Sequence, residues 1–133
     1  MGTATDFTSW AVPNLELTLG ERIFVVRPPS VDDMGKLLAC AVRGEVGLGI
    51  VNGPIPPEVQ GVLDSIKGEH PALGATYHEM VAAEVPATTI DRMAYYAVFY
   101  WARGKDYADR IATLLWGRET LDLEGTGEPA PKA

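Results

Sequence analysis

The stretch LTLGERIFVVRPPSVDD, Leu17–Asp33, decides how the rest of the chain reads. Leu15, Leu17 and Leu19 alternate with Glu16 and Thr18, the period-two pattern of a half-buried strand. Gly20-Glu21 interrupts the pattern, and Ile23-Phe24-Val25-Val26 follows with β-branched and aromatic residues. A glycine at the break suits a tight hairpin turn that needs positive φ. Pro28-Pro29 then removes two backbone donors, so the second strand cannot continue inside a sheet. Ser30, with Asp33 three residues on, predicts a helix N-cap. The stretch is a hairpin, about residues 15–27, that hands over directly to a helix.

Before the hairpin, residues 1–14 hold Trp10 and Pro13 but no period, and read as a mobile arm. After it, a helix is expected over 31–43, with Val31, Met34, Leu37, Leu38, Ala41 and Val42 on one stripe. Gly44 ends it in this reading, and the glycines and prolines of 44–56 predict a loop. Pro57 opens a second helix that turns Val59, Val62, Leu63 and Ile66 inward. A third, about 72–83, carries Leu73, Tyr77, Met80 and Val81 and stops before Pro86. The fourth starts from a Thr88 or Thr89 cap and reaches Arg103, before Gly104. The fifth, about 106–116, has Ala108, Ile111, Ala112 and Leu115 on its stripe. From Arg118 onward glycine, proline and acid dominate, which reads as a flexible tail over 118–133. The expectation is a mainly α protein: a single helical domain of about five helices, residues 15–117, with a short N-terminal β-hairpin.

The totals fit one domain. The 133 residues can bury a core, and 18 acidic against 11 basic residues give a net charge of −7. Such a surface repels phosphate backbones, and the cations are spread along the chain, so no nucleic acid is expected as a partner. No apolar stretch reaches the ~18 residues of a membrane helix, and no N-terminal segment looks like a secretory signal. The single Cys40 excludes an internal disulfide framework. An acidic, soluble, intracellular domain is the expectation.

Chemistry-bearing constellations are sparse. His70 and His78 stand eight residues apart with Glu79 beside the second, without HExxH or comparable metal spacing. Cys40 lies between two alanines on a helix, which favours a partly buried thiol over a nucleophile. The glycines of GEVGLGIVNGP lack the lysine of a phosphate loop. No catalytic, cofactor or metal residue is assigned, and no enzyme is expected. The sharpest feature is Tyr95, Tyr96, Phe99, Tyr100 and Trp101 on the fourth helix. Consecutive positions advance ~100° around a helix, so these five cannot all face one core. Either the helix is central and packed on several sides, or Tyr96 and Tyr100 meet another chain. Ile90, Met93, Ala97 and Trp101 form the expected core stripe.

The order of these residues resembles the tail assembly chaperones of long-tailed bacteriophages of actinobacteria. The resemblance begins with LELTLGERIFVVRPPSVDD and continues with Leu73-Gly74, Tyr77, Glu79-Met80-Val81 and Val85-Pro86. It closes with Ile90, Ala97, Trp101, Gly104, Ala108 and Trp116, covering most of residues 15–117. The resemblance implies a chaperone in the host cytoplasm, absent from the mature virion, that keeps the tape measure protein soluble while the tail tube assembles. It also implies a longer, frameshifted form of the same chain. A long client needs many copies of a weak binder, which favours a homo-oligomer. Leu17 and Phe24 on the hairpin join Tyr96 and Tyr100 as the candidate protein-binding residues. The alternative is a small structural head–tail adaptor, or another part that stays in the virion.

Overall fold

The hairpin forms where the alternation places it. The structure, a computed structural model, describes residues 4–117. Strands β1 (Leu15–Leu19) and β2 (Arg22–Val26) pair antiparallel with Leu17 opposite Phe24 and Leu19 opposite Arg22. Gly20, at φ +63°, takes the first corner of the two-residue turn, the position that requires glycine in a type II′ hairpin. Leu15, Phe24 and Val26 are buried on the inner face, whereas Ile23 and Val25 lie exposed on the outer one. Thr8–Trp10, within the stretch read as an arm, form a 3₁₀ turn on which the exposed rings of Phe7 and Trp10 meet edge to face.

Five α-helices follow among the described residues: α1 (Val31–Gly47), α2 (Pro57–Asp64), α3 (Thr76–Ala82), α4 (Ala87–Arg103) and α5 (Lys105–Ala112). A π-helical turn, Thr113–Gly117, closes them. The mainly helical domain with an N-terminal hairpin is therefore the observed architecture. The Ser30 hydroxyl accepts the Asp33 N–H at 3.1 Å, which is the expected cap, and Pro57 is the first residue of α2. The expected tail, 118–133, lies outside the described residues.

Several boundaries and stripes differ from expectation, each for a local reason. α1 runs through Gly44 and stops at a Schellman motif. There Gly49 takes φ +79°, its N–H reaches the Val46 carbonyl and the Ile50 N–H reaches the Glu45 carbonyl. The α1 stripe also shifts: Leu37, Ala39 and Ala41 are buried, Leu38 is exposed and Val31, on the first turn, is 94% exposed. α3 begins only at Thr76, because Gly74 at φ +57° breaks the turn before it. It ends on a second Schellman motif with Glu84 at φ +60°, after which Val85 returns to the core. α4 starts from Pro86 rather than from a threonine cap. The fifth helix is α-helical only to Ala112.

Two apolar clusters share the fold. One joins Leu15, Phe24 and Val26 of the hairpin to Leu37, Leu73, Met80, Val85, Ile90 and Ala97. The other sets Phe99 of α4 among Ala41 of α1 and Ala108 and Ile111 of α5. α4 belongs to both. It is the central helix, yet one of its sides is left to an open groove.

Candidate functional site

The groove is built from β1, α4, α5 and the turn that follows α5. Leu15, Leu17, Met93, Tyr96, Tyr100 and Trp116 supply its apolar and aromatic lining, around about 610 Å³. Its charged lining is Glu16, Arg92 and Lys105. Tyr96 and Tyr100 are four residues apart on α4, so they share a face, and their ring centroids lie 6.2 Å apart. The Tyr96 hydroxyl donates to Asp109 Oδ1 at 2.6 Å, and Lys105 Nζ holds the other carboxylate oxygen at 2.7 Å. Burial, then the Asp109 carboxylate, pushes the Tyr96 phenol well above its ordinary range. Asp109 in turn is held below the usual carboxylate value, by Lys105 first and Tyr96 second. The Arg92 guanidinium lies 5.4 Å from the Trp116 ring centroid, a cation–π contact at the groove wall.

The fold thus brings three of the four predicted residues together: Leu17, Tyr96 and Tyr100 line one groove. Phe24 is not with them. It is 6% exposed, paired across the strands with Leu17 but turned into the core. Alternation does not explain the split, since Leu17 and Phe24 are directly paired and share the inner face. The inner face of β1 looks toward the groove and that of β2 is roofed by the cluster around α3.

The two edges of the hairpin are unequal. In an antiparallel ladder, bonded and non-bonded pairs alternate. With Leu19–Arg22 closing the turn, Leu15 and Leu17 bond to β2, and the N–H and C=O of Glu16 and Thr18 point away from it. Beyond β2, the Thr76 hydroxyl donates to the Val25 carbonyl at 2.7 Å, and Arg22 reaches the Ala83 carbonyl at 2.9 Å. The β2 edge is tied to α3 and its C-terminal end, while Asn14–Thr18 border the groove.

One cluster escaped sequence reasoning. Glu45, only 5% exposed, accepts two parallel bonds from Arg103, at 2.9 and 3.0 Å, and one from the Tyr107 hydroxyl at 2.6 Å. The Arg103 guanidinium holds the Glu45 carboxyl below its ordinary value. Burial and then Glu45 push the Tyr107 phenol up to about 12. The set ties α1 to the end of α4 and to α5. An acid in register with the buried Leu37 and Ala41 is its only sequence signal, and that signal depends on α1 extending past Gly44.

The other chemistry-bearing residues are engaged elsewhere. His70 stacks on Tyr77 with centroids 4.0 Å apart, and His78 meets the same ring edge to face. Among the described residues no group of three or more His, Cys, Asp or Glu is placed to hold a metal ion. Cys40 is half-buried in a cleft of about 330 Å³ that Glu69, His70 and Asp91 also line. Burial raises its thiol, and Glu69 is taken up by Lys36 and the Lys67 N–H. Among the described residues no helix is long and apolar enough to cross a membrane.

Against known proteins, residues 5–131 match the sequence pattern of a family described as Domain of unknown function (DUF7426). No curated protein and no solved structure matches the chain.

Proposed function

We propose that this chain, which belongs to the DUF7426 family, is a protein-binding module that serves as a phage tail assembly chaperone. The observation that carries the reading is the open groove in which Leu17, Tyr96 and Tyr100 meet. Tyrosines that offer an apolar body and a polar tip suit a contact that must form and release in water. The ordered resemblance from the hairpin to Trp116 supplies the client: the tape measure protein, held soluble until the tail tube closes around it. The protein works without a cofactor, in the host cytoplasm, as a homo-oligomer and beside a frameshifted longer form of itself. One groove per copy makes each contact weak, and many copies along one client make the sum strong.

Co-expression with a tape measure fragment, followed by size-exclusion chromatography, tests this. The wild type should carry the fragment in the soluble fraction, and Tyr96→Ala with Tyr100→Ala should lose it while circular dichroism still reports a folded chain. A folded double variant that keeps the client soluble would remove the groove from the function. Mass spectrometry of purified particles should find the protein absent. Its presence at a fixed copy number would favour a head–tail adaptor instead.

A further inference from the structure

We propose that the N-terminal arm of one copy docks into the groove of a neighbouring copy, with Phe7 and Trp10 as its anchors. The proposal rests on the groove being the protein-binding site and names what fills it between clients. The first support is that the anchor is already built. The Asp6 carboxylate accepts the Thr8 N–H at 2.9 Å and the Thr8 hydroxyl at 2.6 Å, and the Trp10 N–H reaches the Phe7 carbonyl at 2.9 Å. These bonds fix the 3₁₀ turn Thr8–Trp10 and set the two rings edge to face, with centroids 5.2 Å apart. Yet Phe7 is 65% and Trp10 68% exposed, and Val12 beside them is 63% exposed. A local network that orders two large rings and leaves them in water is a preorganised ligand, because the ordering cost of binding is met beforehand.

The second support is that the same chain carries the matching surface and keeps the two apart. The groove is open and lined by Leu15, Leu17, Met93, Tyr96 and Tyr100. The Tyr96 hydroxyl is already held by Asp109, so its ring is what it offers an incoming side chain. The arm's rings can pack on Tyr96 and Tyr100 edge to face or offset, as Phe7 and Trp10 pack on each other. The arm joins β1 at Asn14, on the rim of its own groove, but its anchor stands in solvent. Ala11 is extended, at φ −66° and ψ 144°, and Pro13 fixes its own φ and biases Val12 toward extended chain. Four residues of such chain hold Trp10 up to ~13 Å from the rim, a short, stiff spacer that resists folding back. A knob and a hole on one chain that do not meet each other join copies head to tail. The third support is scale. Aromatic side chains bury ~150–250 Å² each. Two of them with a valine stay below the ~800 Å² per partner of a stable interface. The contact is therefore reversible, as a groove that must yield to a client requires.

The test breaks arm and groove separately in the full chain. Phe7→Ala with Trp10→Ala removes the anchor, and Tyr96→Ala with Tyr100→Ala removes its seat. The wild type should gain mass by light scattering as its concentration rises from micromolar to millimolar, and each variant alone should stay monomeric. Mixed, the two variants should form a one-to-one dimer that grows no further, because one intact arm meets one intact groove. A fluorescent peptide of residues 4–13 should bind the arm variant saturably and the groove variant at least tenfold more weakly. If the groove variant does not fold, Leu17→Asp replaces it. Failure of the mixture to dimerise, with no peptide binding, would overturn the proposal. So would an arm variant that associates as the wild type does, since another face then joins the copies. A wild type that stays monomeric while the peptide binds only the arm variant would overturn it too, because the arm then fills its own groove. Loss of client binding with the mixed dimer intact would instead count against the chaperone reading alone.

Discussion

Gly44 and Gly49 have opposite tasks that composition does not distinguish. Gly49 terminates α1 because the Schellman geometry needs φ > 0. Gly44 sits inside the helix, where a Cβ would stand 2.9 Å from Phe99 Cζ and 3.0 Å from the Tyr95 hydroxyl oxygen. Phe99 is 1% exposed, so its ring must shift against packed neighbours to admit the methyl. Gly44→Ala should therefore destabilise by about 1–2 kcal/mol, the overpacking cost outweighing a helix-propensity gain of about 1 kcal/mol. Gly35, in the same helix, has no atom within 4 Å of its would-be Cβ. There the propensity gain stands alone, and Gly35→Ala should stabilise by about 0.5–1 kcal/mol. Urea denaturation of the two variants checks the pair, and equal signs would refute the packing role of Gly44.

At the scale of the element, α4 is apolar nearly all round because it meets something different on each side. Ile90 and Ala97 face the hairpin cluster, Phe99 faces α1 and α5, and Tyr96 and Tyr100 face the groove. Both readings of the aromatic run describe part of it: the helix is central, and one side is left open. Within the expected core stripe, Ile90 and Ala97 are buried but Met93 and Trp101 are only half-buried. The Trp101 indole N–H donates to the Ala72 carbonyl at 3.2 Å. The fully buried ring is Phe99, two residues before Trp101 and so on the opposite side of the helix from the expected stripe. Phe99→Ala should cost about 3–5 kcal/mol, and Trp101→Ala less, about 2–3 kcal/mol, since its side chain already meets solvent. Equilibrium unfolding gives the order, and a larger loss at Trp101 would reverse this assignment.

For the whole molecule, the Glu45 set couples three helices and gives stability a dependence on pH. Glu45 titrates lower in the fold than its ordinary 4.5, so its contribution is present above that value and is lost as pH falls through the folded one. Asp109 and Glu69, also held low, deepen the same acid limb. Tyr107 titrates higher than its ordinary 10.0, so its contribution is present below 10.0 and is lost as pH rises toward about 12. Melting temperature should be flat between about pH 6 and 9 and fall on both sides. Glu45→Gln leaves the Arg103 charge without its carboxylate and should cost about 2 kcal/mol at pH 7, discounted because Arg103 is partly exposed. The gap to wild type should narrow as pH falls through the lowered titration of Glu45, where its carboxylate takes up a proton and loses its charge. A gap that persists unchanged would mean that the carboxylate charge contributes nothing.

The sequence by itself determined the hairpin, the Ser30 cap, the Pro57 start and the mainly helical class. Each rests on local rules: alternation, missing backbone donors, and side chains that reach their own backbone. It also singled out Tyr96 and Tyr100, because a five-residue aromatic run cannot turn to one side, and the fold sets both beside Leu17 of the hairpin. Tertiary structure alone decided which glycine would end α1, that Phe24 would be core rather than surface, and that Glu45 would meet Arg103 and Tyr107. Those outcomes depend on which residues, more than 50 positions apart in the Glu45 and Gly44 cases, come within a few ångströms. Local pattern carries no term for that distance. A Cβ omitted at Gly44 lets α1 approach α4, and from that approach follow the buried Phe99 and the paired Glu45.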